Sequence, residues 1–276
     1  MAVGHYENFP VASLCLPRRF RYPVSLIYRF AREADDFADE GDAPDALRLE
    51  HLERYRQELR NIECAAPPGI PWFEELAAAI RAHRLPLQPF HDLLSAFSQD
   101  VVKKRYADHD EVLDYCRRSA NPVGRLLLEL YDAASPQNLI YSDAICSSLQ
   151  LINFLQDVAI DYRKGRVYLP QTDLLRFGVA EDQIAQGSTA GNWGALMSFE
   201  IGRARALLHS GAGLGTILQS RIGLELRMII AGGDRILTKI GHVGGDVFHR
   251  RPVLRWFDWP LLLARALRQK SVSREP

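Results

Sequence analysis

At 276 residues the chain is long enough to bury a sizeable hydrophobic core, in one large domain or two small ones. Its 34 basic and 34 acidic residues cancel, which argues against a general nucleic-acid or polyanion binder and confines any binding charge to local clusters. No apolar run approaches the roughly 18 residues of a membrane-spanning helix, nothing resembles a secretory leader, and Cys15, Cys64, Cys116 and Cys146 form no CxxC, which fits reduced thiols in a cytoplasm.

Apolar residues at three- and four-residue spacing recur through most of the sequence, and alternating β-branched runs are nearly absent. The expected class is therefore all-α. Helices are predicted at about 22–40, 44–63, 72–83, 87–105, 110–132, 138–163, 193–209, 213–240 and 256–269. The stretch "CAAPPGIP", Cys64 to Pro71, is a breaker cluster, and "QGSTAGNWG", Gln186 to Gly194, reads as a loop. Similar helical composition continues on both sides of each, so a single domain over residues 1–276 is the economical reading. "GAGLGT", Gly211 to Thr216, misses the dinucleotide-binding spacing and reads as a turn; no NADPH is expected.

The first helix carries "YRFAREADDFADE", in which Tyr28, Arg32, Asp35 and Asp39 fall on one stripe. Like charges four apart cost a helix about 0.2–0.5 kcal/mol per pair, and acidic residues at a C-terminal end also oppose the helix dipole. Compensation is required, unless this is a solvated acidic helix end. The second stretch, "LQLINFLQDVAIDYRKGRVYLP", places Gln150, Asn153, Asp157 and Asp161 on another stripe, while Leu151, Ile152, Phe154, Leu155, Val158 and Ile160 cover the rest of the circumference. A helix apolar nearly all round is buried, so its polar stripe must face a partner or a cavity. An internal ion pair with Arg163, Lys164 or Arg166 is the plain alternative. Two carboxylate pairs with an amide suit a hard cation, and magnesium bridges carboxylates to substrate phosphates. The implied ligand is a magnesium-bound diphosphate, with Arg32, Arg163, Lys164 and Arg166 to complete its neutralisation.

Together these segments resemble the squalene/phytoene synthase family, over about Tyr6 to Arg251. The resemblance implies a single-domain isoprenoid-synthase helical bundle with a central apolar cavity and an isoprenoid diphosphate substrate. It implies Mg2+ ligation by Asp35, Asp39, Asn153, Asp157 and Asp161, with the four aspartates as the catalytic set. It also implies substrate contacts from Tyr28, Arg32, Gln150, Asn153, Arg166 and Tyr168. DDxxD alone is shared with other prenyl-processing enzymes; QLxNxxxDxxxD followed by GRxYLP is more specific.

Departures from the condensing members refine that expectation. "YCRRSANPVGRLLLELY" places Arg117 and Arg118 where those members carry a tyrosine, and "AGGDRIL" places Gly232 and Gly233 where an aromatic is common. With Asn8-Phe9 in "ENFPVAS", these features resemble the bacterial branch of hopanoid-type squalene synthesis that makes hydroxysqualene from presqualene diphosphate. That branch implies functional coupling to a sister enzyme forming the cyclopropyl diphosphate and to a reductase. Head-to-head condensation, and a non-catalytic assembly or binding protein of the same fold, are the competing readings.

Pro122 is expected to kink the middle helix near Gly124 and leave Asn121 or Ser119 able to hold a water. The alternative is a packing kink. Arg118 is the candidate diphosphate contact there, since adjacent arginines point about 100° apart and only one can face a cavity squarely. At the C-terminus, "WFDWPLLLARALRQK" combines Trp256, Trp259 and leucines with late basic residues. Peripheral contact with the inner face of a membrane is one reading; a helix packed on the core with a polar outer face is the other.

Overall fold

Helices make up nearly all the regular structure in the computed structural model, which describes residues 17–218 and 220–268. In chain order they are α1 Arg18–Asp39, α2 Asp45–Glu63, α3 Phe73–His83, α4 Gln88–Val102, α5 His109–Ser119, α6 Asn121–Leu130 and α7 Pro136–Arg163. They continue as α8 Gln171–Phe177, α9 Glu181–Ala185, α10 Trp193–Ser210, α11 Leu214–Ile217, α12 Ser220–His242 and, after a 3-10 turn over Trp256–Asp258, α13 Trp259–Arg268. No strand forms among the described residues; a lone bridge joins Arg105 to Val167. The structure belongs to the all-α class expected.

Two packed clusters flank the middle of the molecule. One gathers α1 to α4 around Phe30, Phe73, Phe90, Leu59 and Leu93, all fully buried. The other surrounds α7 with α5, α10, α12 and loop segments, around Ile152, Leu155, Trp193, Leu208 and Leu237. Each such side chain removed from water contributes about 1.5–3 kcal/mol. Helices α4 and α6 supply residues to both clusters: Ala96 and Leu128 to one, Phe97 and Leu126 to the other.

Helix α1 shows how one sequence serves packing and site together. Phe20, Val24, Ile27, Phe30, Ala34 and Ala38 form a buried stripe at helical spacing. Tyr28, Arg32, Asp35 and Asp39 lie on a different stripe, which faces a cavity. Helix α7 repeats the plan, with Ile145, Ser148, Leu151, Leu155 and Val158 buried and the Gln150 to Asp161 stripe on the cavity.

Three expectations are corrected. The predicted helix over 110–132 is two helices, broken at Ala120 rather than kinked at Gly124. Pro122 has no N–H to offer the Arg118 carbonyl and its ring crowds that oxygen, so the break falls before it and the proline occupies the first turn of α6. The predicted 213–240 helix is likewise interrupted, with Leu218 extended (ψ 122°) between α11 and α12. Helices α8 and α9 were not expected; both are too short for periodicity to declare them.

Candidate active site

Between the two clusters lies a cavity of about 570 Å³, lined from α1, α4, α5, α7, α12 and the segments after α7 and α12. Tyr28, Arg32, Asp35, Asp39, Gln150, Asn153, Asp157, Asp161, Arg166 and Tyr168 all line it. The two acidic helices therefore face one space. A second wall is apolar: Phe97, Leu149, Ile152, Phe154, Ile160 and Ile236.

The end of α7 is turned by the sequence "KGR". Gly165 takes φ +78°, its N–H donates to the Tyr162 carbonyl at 2.9 Å and the Arg166 N–H to the Asp161 carbonyl at 2.8 Å, a Schellman closure that needs glycine. The turn sends Arg166 back into the cavity, where it pairs with Asp39 of α1 while only 6% exposed. Lys164 Nζ adds a bond to Asp39 Oδ2 at 2.7 Å and lies 3.4 Å from Glu40. Arg32 pairs with Asp36 at 2.8 Å and lies 3.7 Å from Asp35. These cations supply the compensation that the acidic end of α1 requires.

Electrostatics separate Asp39 from Asp35 and Asp161. Burial opposes ionisation of Asp39, but Arg166 and Lys164 outweigh it and hold the carboxyl below its ordinary value. Burial, followed by the charges of Asp39 and Asp100, pushes Asp35 up to about 7. Burial and then Asp157 push Asp161 up to about 8. Asp35 and Asp161 thus lack sufficient positive charge in the protein itself.

Residues the sequence reading missed complete the site. Arg251, from the segment after α12, grips Asp157 with Nε to Oδ1 at 2.5 Å and Nη2 to Oδ2 at 3.0 Å. Asp100 of α4 is 2% exposed and accepts from the hydroxyls of Tyr115 and, at 3.0 Å, Tyr168. Burial raises Asp100 to about 6 against the opposing pull of Arg166 and both hydroxyls. The Tyr168 ring stacks on Phe154 at 3.8 Å, so this polar knot adjoins the apolar wall. No helical periodicity marks Arg251, and Asp100, in "AFSQDVVKKR", has polar and basic neighbours that do not distinguish it from a solvated acid.

Arg118 does not join the site. Its guanidinium donates to Asp114 at 2.8 Å, Gln99 at 2.7 Å and Ser95 at 3.1 Å, between α5 and α4. The cavity stripe of α5 is Tyr115 and Ser119, and Arg118 lies round the helix from it. Arg163 is exposed and not among the lining residues. Gly233 of α12 does line the cavity: a Cβ there would press on Ile152, Leu149 and Leu208 at 3.1–3.2 Å. The motif around Asn8 and Phe9, and Cys15, fall outside the described residues.

The donor set fits magnesium in type, being hard oxygens from paired carboxylates and an amide. No three acidic side chains converge on one point among the described residues. Each pair would therefore leave positions for substrate oxygens or water, as magnesium prefers.

The squalene/phytoene synthase family model matches residues 2–258. The chain belongs to that family. A hydroxysqualene synthase from Rhodopseudomonas palustris is 38% identical over 237 residues, 85% of this chain and 79% of that protein. A phytoene synthase from Mycobacterium tuberculosis is 32% identical over 201 residues, 72% of this chain and 65% of that protein. In structure the chain is similar to squalene synthase HpnC from Alicyclobacillus acidocaldarius, with TM-score 0.80 and 35% identity over 87% of this chain and 90% of that one. As a squalene/phytoene synthase family member, the chain has the all-α isoprenoid-synthase fold and is a prenyl diphosphate-processing enzyme. The cavity joining two acidic helices to an apolar wall is the candidate active site.

Proposed function

We propose that this enzyme converts presqualene diphosphate and water to hydroxysqualene and diphosphate. The observation that carries the reading is the 38% identity to a hydroxysqualene synthase over 85% of the chain, on a site whose middle helix presents Tyr115 and Ser119, not Arg118, to the cavity.

Asp35, Asp39, Asn153, Asp157 and Asp161 would hold magnesium, which supplies charge stabilisation to the departing diphosphate. Arg32, Lys164, Arg166 and Arg251 offer guanidinium and ammonium donors to the same oxygens. Gln150 and Asn153 add amide N–H groups. The substrate chains would lie along Phe97, Ile152, Phe154 and Ile236, which exclude bulk water from the carbocation left by C–O cleavage. The stacked faces of Phe154 and Tyr168 favour positive charge beside them. Precision of water access, more than a nucleophile of the protein, sets the product.

The exposed apolar residues of the C-terminal segment support contact with a lipid surface, from which such substrates come. Trp256 is 82% and Leu267 61% exposed, with Arg255, Arg265 and Arg268 on the same segment.

The test is product analysis after separate incubation with farnesyl diphosphate and with presqualene diphosphate, with magnesium and without NADPH. Hydroxysqualene from the second alone is expected. Condensation of farnesyl diphosphate would instead establish the head-to-head reading that the phytoene synthase likeness favours.

A further inference from the structure

The break between α5 and α6 places one unused polar group on the cavity wall. Ser119 is the last residue of α5 and lines the cavity. Its Oγ is buried and meets no hydrogen-bond partner among the described residues. A buried hydroxyl without a partner forfeits its hydration and is retained at a cost of about 1–3 kcal/mol. Its polar neighbours on the same stretch of chain, Tyr115 and Asn121, are engaged. Tyr115, one turn earlier on the same stripe, donates to Asp100. Asn121, the other residue considered for holding a water, is 4% exposed and its Oδ1 accepts from Ser147 Oγ of α7 at 2.8 Å.

The backbone adds to the local polarity. Pro122 has no N–H for the Arg118 carbonyl, and the Val123 N–H donates to the Ala120 carbonyl at 3.2 Å. The turn is held in place by Gly124, whose missing Cβ lets α6 close on Ser142 and Cys146 of α7. Ser119 thus offers an unengaged hydroxyl, able to donate and accept, on the same cavity as the apolar residues Leu149, Phe154 and Ile236.

We infer that Ser119 is the positioning residue for the water that captures the carbocation, an inference that rests on the reaction proposed above. The C–O bond to diphosphate breaks with its electron pair leaving on the diphosphate oxygen. A C–C bond of the cyclopropane then opens, its electron pair forming the new C=C and the positive charge passing to the carbon that water attacks. A lone pair of the water held by Ser119 Oγ forms the new C–O bond. The proton then lost by the oxonium passes to the released diphosphate, the strong base that ionisation creates. Ser119 is unchanged at the end.

The experiment is product partition from presqualene diphosphate in the full-length enzyme with magnesium, comparing wild type with Ser119→Ala, Ser119→Thr and Ser119→Val. Diphosphate release precedes capture, so it should stay within about twofold in the Ala variant. The ratio of hydroxysqualene to other products of the same cation should fall about tenfold in Ala and Val, as for one lost hydrogen bond, and be kept by Thr. An unchanged ratio in Ala, or equal loss in Thr and Val, would overturn the assignment while leaving the reaction standing. Wild-type enzyme that releases diphosphate without forming hydroxysqualene would overturn both.

Discussion

Asp157 and Asp35 illustrate how the same residue type is given different neighbours at one site. Asp157 is clasped by Arg251, whereas Asp35 is pushed up to about 7 by burial and its acidic neighbours. Under the proposed mechanism both must face added positive charge during turnover. Asp157→Asn or Asp35→Asn should therefore lower turnover at least about a hundredfold, with the circular-dichroism spectrum and melting temperature little changed. Near wild-type magnesium-dependent rates in both variants would defeat the two-helix arrangement. Away from the cavity, Glu200 of α10 is buried beside Asp173 and Arg203, and burial raises it from 4.5 to about 7. A raised carboxyl pKa means that the folded chain binds more protons than the unfolded chain between those values. The stability contribution is then full at low pH and is lost as pH climbs from about 4.5 to 7. Glu200→Gln should flatten that decline and raise the denaturation midpoint at pH 8, measured by urea titration across pH.

At the scale of elements, the contact of α6 on α7 depends on the absence of one methyl group. A Cβ at Gly124 would stand 2.6 Å from Cys146 Sγ and overlap Ser142 Oγ as well. Gly124→Ala should destabilise the protein by about 1–3 kcal/mol through overpacking, read as a lower urea midpoint with unchanged m-value. Helices α1 and α7 were legible because each carries a strong apolar period and a polar stripe at matching offsets, and their partnership followed from chemistry. The α5–α6 break was legible as a disturbance but not in position, since Pro122 acts on the turn before it. Arg251 was invisible for a different reason. It meets Asp157 across 94 residues of chain, from a segment whose conformation is set by tertiary bonds such as Gln156 Nε2 to the Pro252 carbonyl at 2.6 Å. Arg118 was misplaced because spacing on one helix does not say which neighbour each face meets.

At the scale of the whole molecule, the proposed function involves two surfaces, one internal and one external. Helix α13 packs through Leu262 and Ala266, as a core-docked helix should. Its outer face is mixed: Leu261, Leu263 and Leu267 are 40%, 41% and 61% exposed, continuous in sequence with Trp256 and Phe257, beside exposed Arg265 and Arg268. Flotation with anionic liposomes should carry the wild-type protein upward, and Trp256→Ser with Leu267→Ser should leave most of it behind. Equal flotation of both proteins would count against a lipid contact. The internal surface has its own accounting of charge. Asp35, Asp39, Glu40, Asp100, Asp157 and Asp161 share the lining with Arg32, Lys164, Arg166 and Arg251. A lone divalent cation could meet Asp35 and Asp161, but to draw in Asp39 and Asp157 as well it would have to part them from Arg166 and Arg251, a loss of about 3–5 kcal/mol where such a pair is broken. A lone diphosphate would meet the acidic side chains first. Under the proposed function, the two ions arriving together would let the carboxylates turn to the metal and the arginines to the diphosphate. On that proposal the cavity recognises a salt rather than an ion. Magnesium or inorganic diphosphate alone should move the melting temperature little, and the two together should raise it by more than the sum of their separate shifts.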